Sequence, residues 1–391
     1  MASPGARSVP APPRAEAVVD LDAVTANTRA LLARARQARP DVAVMAVVKA
    51  EGYGHGAAAC ARAALAGGAT WLGVATLAEA VALRAAGLTA PLLAWLWVPG
   101  DDLAGAVAAD VQIAVSGPVQ LDALLAAVGD TRPRIHVKVD TGLGRNGVGP
   151  AELAATVDAV AAAQRAGRVE FVGLMSHLAG ADVPGDPSVA EQTALFRAAE
   201  RTFVAAGLAP AVRHLANTAA TLDHPDCVFD LVRCGIGLYG LDPTEPGATP
   251  RLPLVPAMTL RATVAQVKRV PAGWGVSYGL TYRTTTETTL ALVPLGYADG
   301  IPRAASSVGP VLLGGRRRQI AGRVAMDQFV VDCGDDPVAI GDAVTLFGPG
   351  TAGEPTAREW AEVTGTIDYE IVTRIGSRVP RRPSGAPGGE S

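Results

Sequence analysis

The sequence predicts an α/β protein: a (β/α)8 TIM-type barrel over residues 16–250, followed by a mostly-β C-terminal domain over residues 251–380. Three observations carry this reading. Eight apolar, β-type runs alternate with alanine-rich helical segments between residues 42 and 234. Beyond residue 250 the helical texture gives way to short runs joined by Gly/Pro turns. The ionisable residues of the first part gather just after its apolar runs, at the strand ends where a barrel of this kind builds its site.

The runs are "VAVMAVV" (42–48), "WLGVAT" (71–76), "PLLAWLW" (91–97), "VQIAVS" (111–116), "RIHVKVD" (134–140), "VEFVGLM" (169–175), "AVRHLA" (211–216) and "FDLVRC" (229–234). Continuous apolar strands separated by helices argue for a parallel sheet covered on its faces. "LAEAVALRAAG" (77–87) and "PAELAATVDAVAAAQRAG" (150–167) are the clearest helical segments, the second opened by Pro and closed by Gly, where a helix tolerates each best. A doubly wound open sheet is the alternative arrangement for the same elements. The strand count and the clustering of polar groups at one end favour the barrel.

In the second domain "TLRATVAQVKRV", "TTLALVPLGYADG", "RQIAGRVAMDQFVVDCG" and "DAVTLFGPG" read as strands. One short helix is expected at "TAREWAEVTG", opened by a Thr356-x-x-Glu359 capping box. The Pro-, Gly- and Ser-rich ends, residues 1–15 and 381–391, read as a flexible lead and a flexible tail.

Composition narrows the function. A net charge of −3 gives no reason to expect nucleic acid or an anionic membrane as partner. Arg316-Arg317-Arg318, the densest basic run, is expected at a solvated hairpin tip. Cys60, Cys227, Cys234 and Cys333 form no C-x-x-C pair, which argues against zinc and against a disulfide framework. The start of the chain lacks the apolar core of a secretory signal, and no apolar stretch approaches a membrane span. A cytoplasmic protein is therefore expected.

Lys49 closes the first apolar run and opens "KAEGYGHG", a glycine-studded turn carrying Tyr53 and His55. A lysine there loses hydration of its charged form, so a partner or a covalent role must compensate. Lys138 and Arg145 lie in and after the fifth run, Ser176-His177 follow the sixth, Asn217-Thr218 the seventh, and Arg233 ends the eighth. "ANT" offers a hydroxyl and "CGIG" offers backbone N–H groups with glycines that permit close approach, which together suit a phosphate. A phosphate cradle facing a reactive lysine suits pyridoxal 5′-phosphate held as a Schiff base, whereas a plain tight turn and a snorkelling lysine are the bland readings of the same residues.

"VVKAEGYGHG" (47–56) resembles the cofactor-attachment motif of the alanine racemase family, and further blocks follow in that family's order. These are "KVDTGLGRNGV" (138–148), "GLMSHLAGAD" (173–182), "HLANTAAT" (214–221), "VRCGIGLYG" (232–240), "VSYGLTY" (276–282), "VPLGYADGIPR" (293–303), "GRVAMDQ" (322–328) and "GTIDYEI" (365–371). The resemblance covers roughly residues 16–382. It implies a pyridoxal-phosphate-dependent homodimer, each barrel's site completed by the partner's β-domain, that interconverts L- and D-alanine and supplies D-alanine for peptidoglycan.

By that resemblance Lys49 would carry the cofactor and act as one acid/base, with Tyr278 of the other subunit serving the opposite face. Inversion needs this division, because the proton leaves one side of the carbon and returns to the other. A tyrosine is a poor base near neutral pH, so nearby positive charge must assist it, and His177 and Arg233 are the candidates. Arg233 would face the pyridine nitrogen; being always charged, it cannot take that nitrogen's proton. His214 would orient Arg233. Tyr53, Asn217, Thr218, Gly235, Ile236 and Tyr369 would hold the cofactor, chiefly its phosphate. Arg145 would reach the cofactor's phenolic oxygen and the substrate carboxylate, assisted by the backbone N–H of Met326 of the partner subunit, with Lys138, carbamylated or simply ion-paired, positioning Arg145. Tyr297, Arg303, Asp182 and Ile367 would line the substrate corridor.

Several positions depart from the family pattern: Glu51-Gly52 where Asn-Ala is usual, Thr218 for Ser, Cys234 for Pro, and Ala325 where Cys or Ser is frequent. Glu51 adds a negative charge close to Lys49 in sequence. A racemase of serine or another small amino acid is the alternative function. A decarboxylase of the same architecture should place an acid at Arg233, and a non-catalytic cofactor-binding barrel should lack residues 251–380.

Overall fold

A computed structural model of the chain describes residues 13–243 and 251–385. It divides into two compact units: Asp20–Ala257, and a second that joins the N-terminal segment up to Val19 to Met258–Pro383.

The chain enters through strand β1 (Ala15–Asp20), which pairs antiparallel with Met258–Thr263, Ala17 opposite Leu260. The barrel boundary expected at residue 16 is therefore corrected: β1 belongs to the sheet of the C-terminal domain, a pairing too distant along the chain for local pattern to announce. Asp20 then caps the helix Leu21–Ala38 by accepting the N–H of Ala23 at 2.9 Å.

The eight expected runs are all strands: β2 (Ala43–Val47), β3 (Trp71–Val74), β4 (Leu92–Ala94), β5 (Gln112–Val115), β6 (Arg134–Lys138), β7 (Glu170–Met175), β8 (Val212–His214) and β9 (Leu231–Cys234). They form one parallel sheet in the order β8-β7-β6-β5-β4-β3-β2-β9. β9 pairs with β2, and the ring closes between β8 and β9 through two backbone bonds, Asp230 N–H to Arg213 O (3.1 Å) and Arg233 N–H to Ala216 O (2.9 Å). Helices cover the outside, so most strand residues are buried on both faces, as their continuous apolar runs require. The helix Leu77–Ala85 carries a full capping box between Thr76 and Glu79.

The second unit holds a six-stranded sheet in the order Arg316–Gln319, Pro310–Leu313, Ala343–Phe347, Met258–Thr263, β1, Arg381–Ser384. Gln266–Val270, Thr288–Val293 and Phe329–Asp332 make a three-stranded antiparallel sheet, and Gly275–Val276 pairs with Tyr282–Arg283 as a short ribbon. The helix Ala357–Thr364 is opened by the expected Thr356/Glu359 capping box.

Two expectations about this unit are revised. The arginine run is not a hairpin tip: Gly314-Gly315, both at positive φ, make the turn, and Arg316–Gln319 is the returning strand. There Arg317 pairs with Glu359 and Arg318 with Asp336. The tail does not begin at residue 381, because Arg381–Ser384 is the edge strand beside β1. The flexible lead and tail otherwise fall mainly on residues 1–12 and 386–391, which lie outside the described residues. Among the described residues all four cysteines are free and buried, and no helix is long and apolar enough to cross a membrane.

Candidate active site

At the C-terminal end of β2 the chain makes a left-handed turn. Ala50, Glu51, Gly52 and Tyr53 all have φ between 51° and 62°. Non-glycine residues pay of order 1–2 kcal/mol each for this conformation, so the turn persists only because it is held. Gly52 N–H donates to Val48 O and Gly54 N–H to Ala50 O, both at 2.9 Å. Glu79 braces the turn from outside: one carboxylate oxygen accepts the Ala50 N–H at 2.6 Å, while the other accepts those of Ala75 (2.9 Å) and Thr76 (3.0 Å). Lys49 stands at the head of this turn.

Burial, Arg145 and Arg233 push the Lys49 ammonium below the ordinary lysine value, and Glu79 partly offsets them. Lys138, on the inward face of β6, is likewise held down to about 8 by burial and by Arg233 and Arg145. Four cationic side chains thus gather in the barrel mouth. Among the described residues, no carboxylate lies within 4.0 Å of any of them. Glu51 is not the balancing charge. Its carboxylate accepts the N–H of Ala57 at 3.2 Å and caps the next helix, so the departure at this position serves the fold.

Arg145 is carried by the loop after β6. Asp140 shapes that loop by accepting the N–H groups of Gly142 (2.9 Å) and Gly144 (3.1 Å). Gly147, at φ 135°, packs so closely that a Cβ would lie 2.5 Å from the Asp140 nitrogen. Arg145 itself is exposed.

At the ends of β8 and β9, next to β2, lies a small cradle. The Thr218 hydroxyl oxygen accepts the N–H groups of Gly235 (3.2 Å) and Gly237 (3.4 Å), which leaves its own hydrogen to donate. A Cβ on Gly235 would meet the Tyr53 hydroxyl at 2.3 Å, so only glycine permits that approach. Burial raises the Tyr53 phenol well above its ordinary value and keeps it a donor. Ile236 is buried beside them. Asn217 is committed elsewhere: its side-chain oxygen caps the helix Thr218–Asp223 at the N–H of Ala220 (2.9 Å).

Arg233 closes the floor and is 5 % exposed. Its Nη1 donates to His214 O at 2.7 Å and faces His214 Nδ1 at 3.3 Å. Its Nη2 faces Ser176 O (2.6 Å), His177 Nδ1 (3.1 Å) and Leu215 O (3.2 Å). Burial and Arg233 hold His177 and His214 well below the ordinary histidine range, so both rings are neutral.

Model matches name the family. Residues 19–243 match the alanine racemase N-terminal domain and residues 257–383 the alanine racemase C-terminal domain. The chain belongs to the alanine racemase family. It is 58 % identical to the alanine racemase of Frankia casuarinae over 94 % of this chain and 96 % of that one. It is 54 % identical to that of Thermobifida fusca over 95 % and 98 %. The crystal structure of alanine racemase from D-cycloserine-producing Streptomyces lavendulae superposes with a TM-score of 0.93 at 53 % identity, covering 96 % of this chain and 98 % of that chain. Family members are isomerases that use pyridoxal phosphate.

In the alanine racemase fold as this chain builds it, Lys49, Tyr53, Lys138, Arg145, His177, His214, Asn217, Thr218, Arg233, Gly235 and Ile236 fall in the barrel unit, with Asp182 exposed in the loop after β7. Tyr278, Tyr297, Arg303, Met326, Ile367 and Tyr369 fall in the other unit. There the turn carrying Tyr278 is pinned by the Ser277 hydroxyl donating to Arg323 O at 2.7 Å. Tyr297 and Ala298 donate their N–H groups to Ala325 O (3.1 Å) and Met326 O (2.9 Å), joining two of the expected substrate-side segments. Tyr278 and Ile367, 70 % and 59 % exposed, have little cover within the chain. Sequence reasoning missed Glu79, Gln112 and His136. The last two were visible only as polar interruptions of apolar strands.

Proposed function

We propose that this protein racemises alanine as a pyridoxal-phosphate-dependent homodimer in the cytoplasm, making D-alanine for the cell wall. The observation that carries the reading is the barrel mouth. A lysine with a weakened hold on its proton stands beside a hydroxyl-and-amide cradle, amid cationic side chains that have no carboxylate within 4.0 Å among the described residues. A doubly charged phosphate on an aromatic aldehyde supplies the anion and the electrophile that this set lacks, so the residues fit the group.

Tyr53, Thr218, Gly235 and Ile236 would hold its phosphate with hydroxyl and backbone donors, and Tyr369 is assigned to the same task. When bound, pyridoxal phosphate acidifies the α-proton of the amino acid joined to it by drawing electrons into its ring. Arg145 and the N–H of Met326 of the partner subunit would orient the substrate carboxylate. Lys49 then moves the proton on one face and Tyr278 of the partner on the other. The neutral His177, receiving a hydrogen bond at Nδ1 from Arg233, has its proton on Nε2 and can donate it to the Tyr278 oxygen, stabilising the phenolate. Arg233 would lie toward the ring nitrogen and, giving up no proton, would limit how far charge spreads there and so disfavour decarboxylation. Tyr297, Arg303, Asp182 and Ile367 would narrow the entrance to a small amino acid.

The test is polarimetric. Protein supplied with pyridoxal phosphate is given L-alanine, L-serine or L-ornithine while rotation and carbon dioxide are followed. Rotation from L-alanine decaying to zero without gas, faster than from serine, is the expected result. Fixed rotation with cofactor bound would return the reading to a cofactor carrier, and a faster serine reaction would make this a serine racemase.

A pH dependence follows from the lowered Lys49 value. Attachment needs the neutral amine, whose fraction grows as pH rises through the folded pKa. The rate at which apoprotein takes up pyridoxal phosphate, read from the cofactor's absorbance, should therefore reach its plateau below the ordinary lysine value of 10.5. Arg145→Met removes the larger of the two charge effects and should move that midpoint upward.

A further inference from the structure

Behind Arg233 a chain of buried side chains runs across the inside of the barrel. His214 Nε2 lies 2.8 Å from His136 Nδ1, and His136 Nε2 lies 2.8 Å from Gln112 Oε1. Gln112, His136 and His214 are 2 %, 0 % and 0 % exposed, and the two imidazoles meet edge to face at 5.0 Å. Three strands supply them: β5, β6 and β8. Trp71 of β3 closes on the edge of His136.

The direction of every hydrogen bond here is fixed by Arg233. A guanidinium has donors only, so the His214 Nδ1 that faces it must present a lone pair. A neutral His214 then carries its proton on Nε2 and donates it to His136. His136 Nδ1 is therefore the acceptor, its proton is on Nε2, and that proton goes to the Gln112 carbonyl oxygen. The reversed amide would set N–H against N–H and leave a buried donor unpaired, which is costly. The chain ends on a neutral amide. A carboxylate at that place would draw positive charge onto the imidazoles or screen the guanidinium; glutamine does neither.

We propose that Gln112 and His136 are positioning residues that act through His214 to hold the Arg233 guanidinium in one orientation, as a pure donor with its charge uncompensated by protein. The proposal rests on Arg233 facing the cofactor, as in the proposed function. It adds a reason for two polar residues buried inside the barrel. Burial and the nearby arginines keep His136 neutral, down to about 3, so the relay holds one protonation state across the working pH range.

The test begins with the tautomers themselves. The chain has five histidines, so 15N NMR of histidine-labelled holoenzyme can assign each ring. His136 and His214 should both be protonated at Nε2 alone, unchanged between about pH 6 and 9. A proton on Nδ1 of either, or an imidazolium, would overturn the relay.

The second arm is a double-mutant cycle. Gln112→Met should lower kcat about tenfold with KM changed far less, and should weaken cofactor affinity measured by fluorescence. In an Arg233→Met background the same substitution should change cofactor affinity little, because its effect passes through Arg233. Equal losses in both backgrounds would mean that Gln112 merely packs the barrel and would overturn the proposal. If Gln112→Met does not fold, the tautomer result on the unmodified protein decides alone. Failure of the racemase reading would show instead as fixed optical rotation in the unmodified protein, whatever the tautomers.

Discussion

Lys49→Ala should abolish alanine racemisation in both directions, a loss of roughly ten-thousandfold or more, because in the proposed mechanism it removes the attachment point and one of two proton-transfer groups together. The folded protein should not suffer. Lys49 makes no ion pair among the described residues, and its one ring contact is the face of Tyr53, 5.8 Å from Nζ. The lowered pKa sharpens the expectation. In the unfolded chain the amine is protonated throughout the neutral range, whereas the fold, by burying it and setting Arg145 and Arg233 near, accepts that proton less readily. A base whose folded pKa is depressed costs the native state stability at pH values below the unfolded pKa. Replacing it with alanine removes that cost, so the melting temperature at neutral pH should stay level or rise while activity vanishes. Activity and stability moving apart is the signature of a functional lysine. Turnover retained within about tenfold would sink the assignment, and a collapse of the melting temperature would make Lys49 structural.

The same contrast explains what could be read from the chain before its structure. Lys49, Lys138, His177 and Arg233 announced themselves because each breaks an apolar β-run at the end where a barrel places its chemistry. Tyr53 and Gly235 were legible as members of glycine-rich turns, but their mutual approach at 2.3 Å to a built Cβ is a fact of packing between β2 and β9. Glu79 drew no notice in the sequence, although it completes the capping box of its helix. Its second oxygen, spent on the Ala50 N–H, depends on two loops meeting from different strands. Gln112 and His136 sit inside "VQIAVS" and "RIHVKVD", where a polar residue on an inward face is invisible until its neighbours on other strands are known. The two misplaced chain ends have one cause. β1 finds its partner at Met258–Thr263, and the last strand finds β1, so both ends of the chain were assigned by local composition when distant pairing decided them. Asn217 shows the opposite limit: helix capping explains its side chain fully, and any contact with cofactor has to come from what remains of the amide.

Tyr278→Phe keeps the ring and removes the oxygen, and its effect should be lopsided. Conversion falls by about 10²–10⁴-fold, the usual weight of one acid/base group. Yet α-hydrogen exchange with deuterated water should persist for the enantiomer whose proton Lys49 removes, and should nearly stop for the other. Equal losses of early exchange from both enantiomers would count against two opposed bases. The residue is presented outward. It sits 70 % exposed on a turn held open by three positive φ values, Ser277 at 59°, Gly279 at 72° and Leu280 at 48°, and tied down by the Ser277 bond to Arg323. Strain of this kind persists only where surrounding contacts hold it, and here it presents one aromatic outward. Mixing the two inactive variants then separates a shared site from a private one. In a heterodimer of Lys49→Ala and Tyr278→Phe chains, one site carries both defects and the other carries neither, provided each site draws its tyrosine from the opposite subunit. Random reassortment of the subunits should restore about one quarter of the unmodified activity, since half the dimers are mixed and half their sites intact. If lysine and tyrosine served the same chain's site, every site in the mixture would still lack one of them and no activity would return.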